Sequence, residues 1–169
     1  MNDDKAKEKE KLKRGYLDLL RRIGLVIVIL AVTFSVVLLL WRAEGQEMYP
    51  AIRDGDLLLA SRRNKIWHRG DVVIYQAEGE RRVGRIAAVE KDTLGVTESG
   101  DLVVNGARQS EEVFYQTVME SEDPILVPED TVYILGDRRD ACRDSRDFGP
   151  IPISDLEGKV IGLYRIRGF

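Results

Sequence analysis

The stretch RGDVVIYQAEGERRVGRIAAVE, Arg69–Glu90, sets two β-prone runs, Val72–Tyr75 and Arg81–Val89, either side of a short glycine-bearing interruption. Valine, isoleucine and tyrosine suit a pleated, half-buried surface, and runs this short bounded by Gly and Asp read as strands. Working outward, similar runs occur at Leu57–Ser61, Leu102–Val104, Thr131–Leu135 and Val160–Ile166, with Gly, Pro, Asn and Asp between them. No long segment of 3.6-residue period intervenes, which predicts an all-β domain of short antiparallel strands from Arg42 to Phe169. Asn105-Gly106, between Val103-Val104 and Ala107-Arg108, is a two-residue hairpin signal, because both central residues of a type I′ turn need positive φ.

Upstream, Ile23–Trp41 (IGLVIVILAVTFSVVLLLW) carries no charge. As a helix it spans roughly 28 Å, close to the hydrocarbon thickness of a bilayer. Thr33 and Ser35 can bond back to the helix's own carbonyls. A cleaved secretory signal has a shorter apolar region and ends at an A-x-A-like site, whereas Trp41-Arg42-Ala43-Glu44-Gly45 offers none. Residues 23–41 are therefore expected to be a retained transmembrane helix. The leader, residues 1–22, holds eight Lys or Arg against five acidic residues. That excess predicts a cytoplasmic N-terminus and an extracytoplasmic 42–169 domain. Leu17, Leu19 and Leu20 are placed to lengthen the helix inward.

Composition excludes more than it assigns. With 33% charged and 44% hydrophobic residues and a net charge of −3, the chain is an ordinary globular protein with no basic field for nucleic acid. Cys142 is the only cysteine, so neither an intrachain disulfide nor a cysteine metal cluster can form. His68, the only histidine, has no recognisable nucleophile near it in sequence. No metal or cofactor is expected.

Several segments fall in a characteristic order: Gly45-Gln46-Glu47-Met48-Tyr49-Pro50, Asp54-Gly55-Asp56, Arg69-Gly70-Asp71, Arg82-Val83-Gly84-Arg85-Ile86, Val104-Asn105-Gly106, and Gly136-Asp137-Arg138-Arg139 through Cys142 to Asp144-Ser145-Arg146 and Phe148-Gly149. With the single preceding anchor, this order resembles the type I signal peptidase family over essentially the whole external domain. The resemblance implies a signal-peptidase-like β domain with a serine before Met48 and a lysine before Arg85. A serine hydroxyl needs an adjacent base, and a lysine serves as one near neutral pH only when desolvation lowers its pKa. Here those positions are Glu47 and Gly84, and the family's lysine-orienting serine aligns with Cys142. Ala51 stands for the usual threonine and Glu90-Lys91-Asp92 for the usual Pro-Gly-Asp.

The resemblance further implies two structural ion pairs, Arg85 with Asp137 and Asp144 with Arg146. It also implies a groove in which an extended peptide lies beside Gln46, Glu47, Met48, Pro50, Val83 and Gly84. Gly84 is expected to open space there, and Glu47 to pair with an arginine such as Arg82 or with a cation on a client. A dyad replaced by an acidic residue and a glycine resembles the signal-peptidase-like accessory proteins encoded with sortase-assembled pili in Gram-positive bacteria. That branch implies a non-cleaving membrane protein that presents a pilin or another secreted client to a sortase. The competing expectation is an active signal peptidase using another nucleophile or base. Ser61, Ser99, Ser110, Ser121, Ser145 and Ser154, however, carry no motif that sets a base beside them.

Overall fold

The structure, a computed structural model, describes residues 2–63, 66–109, 117 and 123–165, and the side chains from residue 13 onward within those ranges. The chain divides into two units, residues 1–37 and 38–169.

The first unit is one helix, α1 (Asn2–Val37). Its 25-residue portion Lys13–Val37 is long and apolar enough to cross a membrane, about 37 Å at 1.5 Å per residue. Its apolar side chains point outward on every side, with Leu25 62% and Phe34 63% exposed. A helix that is apolar all round and buries nothing within its own unit fits a membrane anchor.

The helix ends four residues earlier than the apolar run suggests. Leu38–Arg42 form strand β1, paired antiparallel with β2 (Leu57–Ser61) in the register Leu39↔Ala60 and Trp41↔Leu58. Leucine is at home in either state, and the ladder with β2 plus burial of Leu39 settles the choice.

The second unit continues with β3 (Val72–Ala77), β4 (Glu80–Val89), β5 (Thr93–Val96), β6 (Leu102–Val104), β7 (Ala107–Arg108), β8 (Ile125–Leu126) and β9 (Thr131–Leu135). It closes with the one-turn helix α2 (Ser145–Phe148), β10 (Ile151–Pro152), a 3-10 turn at Ile153–Asp155, and β11 (Leu156–Tyr164). Seven strands form one sheet in the order β1-β2-β11-β3-β4-β9-β10, and four form a second, β7-β6-β5-β8, all pairs antiparallel. The mainly β fold of short antiparallel strands is thus present. Asn105 and Gly106 have φ of 53° and 76° between β6 and β7, the paired positive values of the expected turn. β5, β8 and β10 are additional to the runs read from sequence, β11 begins four residues before Val160, and Ile166, Ser110 and Ser121 lie outside the described residues.

β3 and β4 carry the site because alternate residues face opposite cores. Ile74 and Val83 enter a cluster with Met48, Ile52, Leu58 and Ala60. Val73 and Tyr75 enter another with Ile86, Val132, Ile134 and Ile151. Register places Arg82 opposite Tyr75 and Gly84 opposite Val73, so both stand on this second face. A bulge between Ile86 and Ala88 turns two successive alanines inward, where Leu94, Leu102, Val104, Val127, Tyr133 and Leu135 complete the third cluster.

Candidate functional site

Three separated segments converge: Gln46–Met48, Arg82–Arg85 on β4, and the loop Gly136–Cys142 that runs into α2. Arg138 N–H donates to the Glu47 carbonyl at 2.9 Å, and Arg138 Nη1 donates to Gln46 Oε1 at 2.8 Å. Gly136 makes the close approach possible. A β-carbon there would lie 2.5 Å from Cys142 Sγ and 2.8 Å from the Glu47 carbonyl oxygen.

Glu47 reaches across to β4. Its Oε1 accepts from Arg82 Nη1 at 3.0 Å, while Arg82 Nη2 donates to Glu80 at 2.6 Å. The Arg82 guanidinium also lies 5.2 Å from the Phe148 ring centre, and Arg143 lies 5.1 Å from that ring. Burial pushes the Glu47 carboxyl above its usual range, with Asp144 and Glu80 adding to the rise and Arg82 opposing it. The folded state therefore holds this proton more tightly than the unfolded chain does. Stability contributed by Glu47 is lost as pH rises through the folded pKa. Glu47→Gln is expected to raise the unfolding midpoint at pH 7, with the gain shrinking on acidification to pH 4.5. Thermal melts in detergent at both values check this, and a lower midpoint for the variant at pH 7 would show that the Arg82 pair outweighs burial.

Gly84 does not open space, contrary to expectation. It is buried, and a β-carbon built on it would overlap the Cγ2 methyl of Ile134 and lie 3.3 Å from Tyr75 Cε1 and 3.4 Å from the Leu135 carbonyl. Tyr75 and Ile134 are themselves 1% and 0% exposed. A side chain at this position would have to displace these packed neighbours.

The other expected residues divide into backbone and side-chain roles. Met48 and Val83 are core side chains, so a peptide could meet them only through backbone. Pro50 is half-buried and Gln46 exposed. Arg85 donates to both oxygens of Asp137 at 2.8 Å and to the Gly70 carbonyl at 3.0 Å. Arg146 donates to both oxygens of Asp144. Both implied ion pairs are in place. The Cys142 thiol donates to Asp144 at 3.1 Å, and burial followed by the Asp144 charge pushes its pKa up to about 12. It is a neutral donor rather than a nucleophile.

Tyr75, Ile134 and Phe148, which fill and wall the site, were not indicated by the sequence, since strand alternation assigns a face only once register is known. Ser145 Oγ accepts from the buried Ile134 N–H at 2.9 Å, a structural use. Among the described residues no group of His, Cys, Asp and Glu could hold a metal.

Beyond Gly84 the free edge of β4 stands out. β9 pairs with β4 only from Arg85 onward, so among the described residues no strand covers the side of Glu80–Gly84 away from β3. Val83 and Gly84 are buried, so the accessible part of this edge is Glu80–Arg82, where unpaired strand backbone can accept an added strand.

A β domain of this topology, with converging boxes and an anchoring helix, defines a signal-peptidase-type protein. The family model described as signal peptidase, peptidase S26, matches residues 16–164, and the chain belongs to that family. Mitochondrial ATP-independent inner membrane protease subunit 1a of Arabidopsis thaliana is 31% identical over 142 residues, covering 80% of this chain and 75% of its own. Signal peptidase I of Bacillus amyloliquefaciens is 25% identical over 154 residues and is covered over 83% of both chains. Thylakoidal processing peptidase 1 of A. thaliana is 29% identical over 133 residues, and this chain spans only 39% of its length. A crystal structure of a signal peptidase I from Enterococcus faecalis V583 superposes with a TM-score of 0.50 at 24% identity, covering 56% of this chain and 97% of that one, a likeness of fold.

Proposed function

We propose that this chain is a non-cleaving, signal-peptidase-like membrane protein that holds extended segments of secreted clients along β4, as an accessory to sortase-dependent pilus assembly. The supporting observation is the rebuilt dyad position: Glu47 is engaged by Arg82, and the place of a side chain at Gly84 is filled by Ile134 and Tyr75. Activation of a nucleophile needs a base at hydrogen-bond distance. Among the described lysines of the β domain, Lys91 pairs with Glu129 at 3.2 Å and Lys159 with Asp71 at 2.6 Å, both with carboxylates rather than hydroxyls. The intact ion pairs and the open β4 edge support a domain kept for binding. In this reading α1 crosses the cell membrane with its basic end in the cytoplasm and the β domain outside.

The test is genetic and direct. In a pilus-forming host, deletion of the gene should abolish polymers while leaving pilin signal peptides fully processed. Restoring the gene with Glu47 replaced by a photo-crosslinking residue should trap pilin on irradiation. Accumulation of uncleaved pilin precursor in the deletion strain would establish the peptidase alternative instead.

A further inference from the structure

Arg82 is held in a way that its hydrogen bonds alone do not explain. Glu80, two residues away on the same strand and 70% exposed, offers it a partner toward solvent, yet the Arg82 side chain is only 11% exposed. Its Nε is buried and has no acceptor. A buried donor left unmade is costly, so another contact must offset it.

Phe148 supplies that contact. The guanidinium lies 5.2 Å from the ring centre, inside the ~6 Å reach of a cation–π interaction. The ring is itself fixed in three ways. Phe148 N–H donates to the Asp144 carbonyl at 3.1 Å within α2, and the side chain packs on the cluster of Val73, Tyr75 and Ile134. Arg143, 5.1 Å from the ring centre, is tied at 3.0 Å to Glu78 in the β3–β4 turn. Arg82 in turn makes the one ion pair of the Glu47 side chain among the described residues. Glu47 is thus fastened to β4 through its carboxylate and to the Gly136–Cys142 loop through its carbonyl, which accepts from Arg138 N–H.

We propose that Phe148 is a positioning residue: by stacking on Arg82 it holds that guanidinium against Glu47, and so fixes Gln46–Met48 beside the Glu80–Arg82 edge where a client strand adds. Its effect on binding rests on the strand-edge reading, whereas its effect on Glu47 does not. The ionisable groups facing Glu47 are Arg82 and Glu80 from β4, Tyr75 from β3 and Asp144 from the loop before α2. Arg82 is the one cation among them, so releasing it must raise the Glu47 pKa.

The experiment follows the Glu47 carboxyl by NMR in the full chain, labelled at glutamate carboxyls and held in detergent micelles, with Glu47→Gln assigning the signal. In Phe148→Leu the Glu47 titration should move to higher pH, as it does in Arg82→Gln, and in Phe148→Tyr, which keeps the ring, it should stay in place. Phe148→Met, whose flexible side chain refills the space without a ring, repeats the test independently of how leucine packs. A ten-residue Val/Thr peptide should bind the leucine and methionine variants roughly two- to tenfold more weakly than the wild type or the tyrosine variant, the change that one cation–π contact carries. A lower melting temperature with the Glu47 titration unmoved, or equal movement in Phe148→Tyr, shows that Phe148 only fills space and overturns the inference. Movement of Glu47 with unchanged peptide affinity overturns its link to binding. If the wild type binds no peptide while Glu47 still moves, the strand-edge reading falls and the hold of Phe148 on Arg82 and Glu47 stands.

Discussion

The Glu47→Ser/Gly84→Lys double substitution is expected to leave the chain unable to cut a preprotein at an A-x-A site and to destabilise it markedly. The reason is volume before chemistry. At position 84 even a methyl group overlaps Ile134 Cγ2 and crowds Tyr75, and both neighbours are buried. Overpacking of this kind costs about 1–3 kcal/mol, so Gly84→Ala alone should lower stability by that amount. The lysine adds a longer stem against the packed cluster of Val73, Tyr75, Ile86 and Ile134, so its overpacking exceeds that of alanine. In place of the serine hydroxyl that the resemblance implies stands the Cys142 thiol, which donates to Asp144 and accepts from Arg146. Incubation of purified variants with a preprotein in detergent, alongside thermal melts, measures both effects. Adding Ile134→Ala should restore part of the lost stability by making room for the stem. Ready cleavage by the double variant would show that only two residues separate this chain from an enzyme, and the proposed binding role would lose its main support.

How far sequence leads is shown by residues that behaved differently. Asn105-Gly106 was legible because a type I′ turn demands positive φ twice, a local requirement that no tertiary context alters. The pairs Arg85–Asp137 and Asp144–Arg146 followed from the ordered boxes, and Arg82 as the partner of Glu47 followed from charge and proximity. Leu38–Trp41 misled because a leucine run carries no mark of where a helix stops and a ladder begins. Thr93–Val96 carries little strand signal for the opposite reason, since Gly95 interrupts a four-residue strand between charged turns. At Gly84 a missing side chain does not mean vacant space. Whether it is vacant depends on Tyr75, two residues along on the paired strand β3, and on Ile134 from β9, and no sequence pattern reports those neighbours.

Asp144→Ala is expected to lower stability by about 3–5 kcal/mol, the usual consequence of removing one member of a buried ion pair. Asp144 is 1% exposed and serves several groups at once. It accepts from Gly136 N–H at 3.0 Å, from Arg146 N–H at 3.1 Å, from Arg146 Nε at 2.8 Å and Nη2 at 3.0 Å, and from the Cys142 thiol. It is also the N-cap of α2, in a reciprocal capping box with Asp147. Alanine would leave the Arg146 guanidinium, 15% exposed, without its carboxylate and the Gly136 N–H buried without an acceptor. Domains of this size are stable by only about 5–15 kcal/mol, so the loss removes a large fraction of the total. Asp144→Asn should cost less, since an amide oxygen still caps the helix and accepts from one donor. Asp144→Ala/Arg146→Met should recover part of the loss by removing the orphaned charge. Denaturant unfolding of the four chains tests the series, and a loss under about 1 kcal/mol for Asp144→Ala would refute it. The same network fixes the loop whose Arg138 N–H holds the Glu47 carbonyl. Client binding should therefore fall in Asp144→Ala through release of the Gln46–Met48 segment and be regained with stability in the double variant. Asp144 thus acts at a distance, by holding in shape the loop whose Arg138 N–H fixes the Glu47 carbonyl.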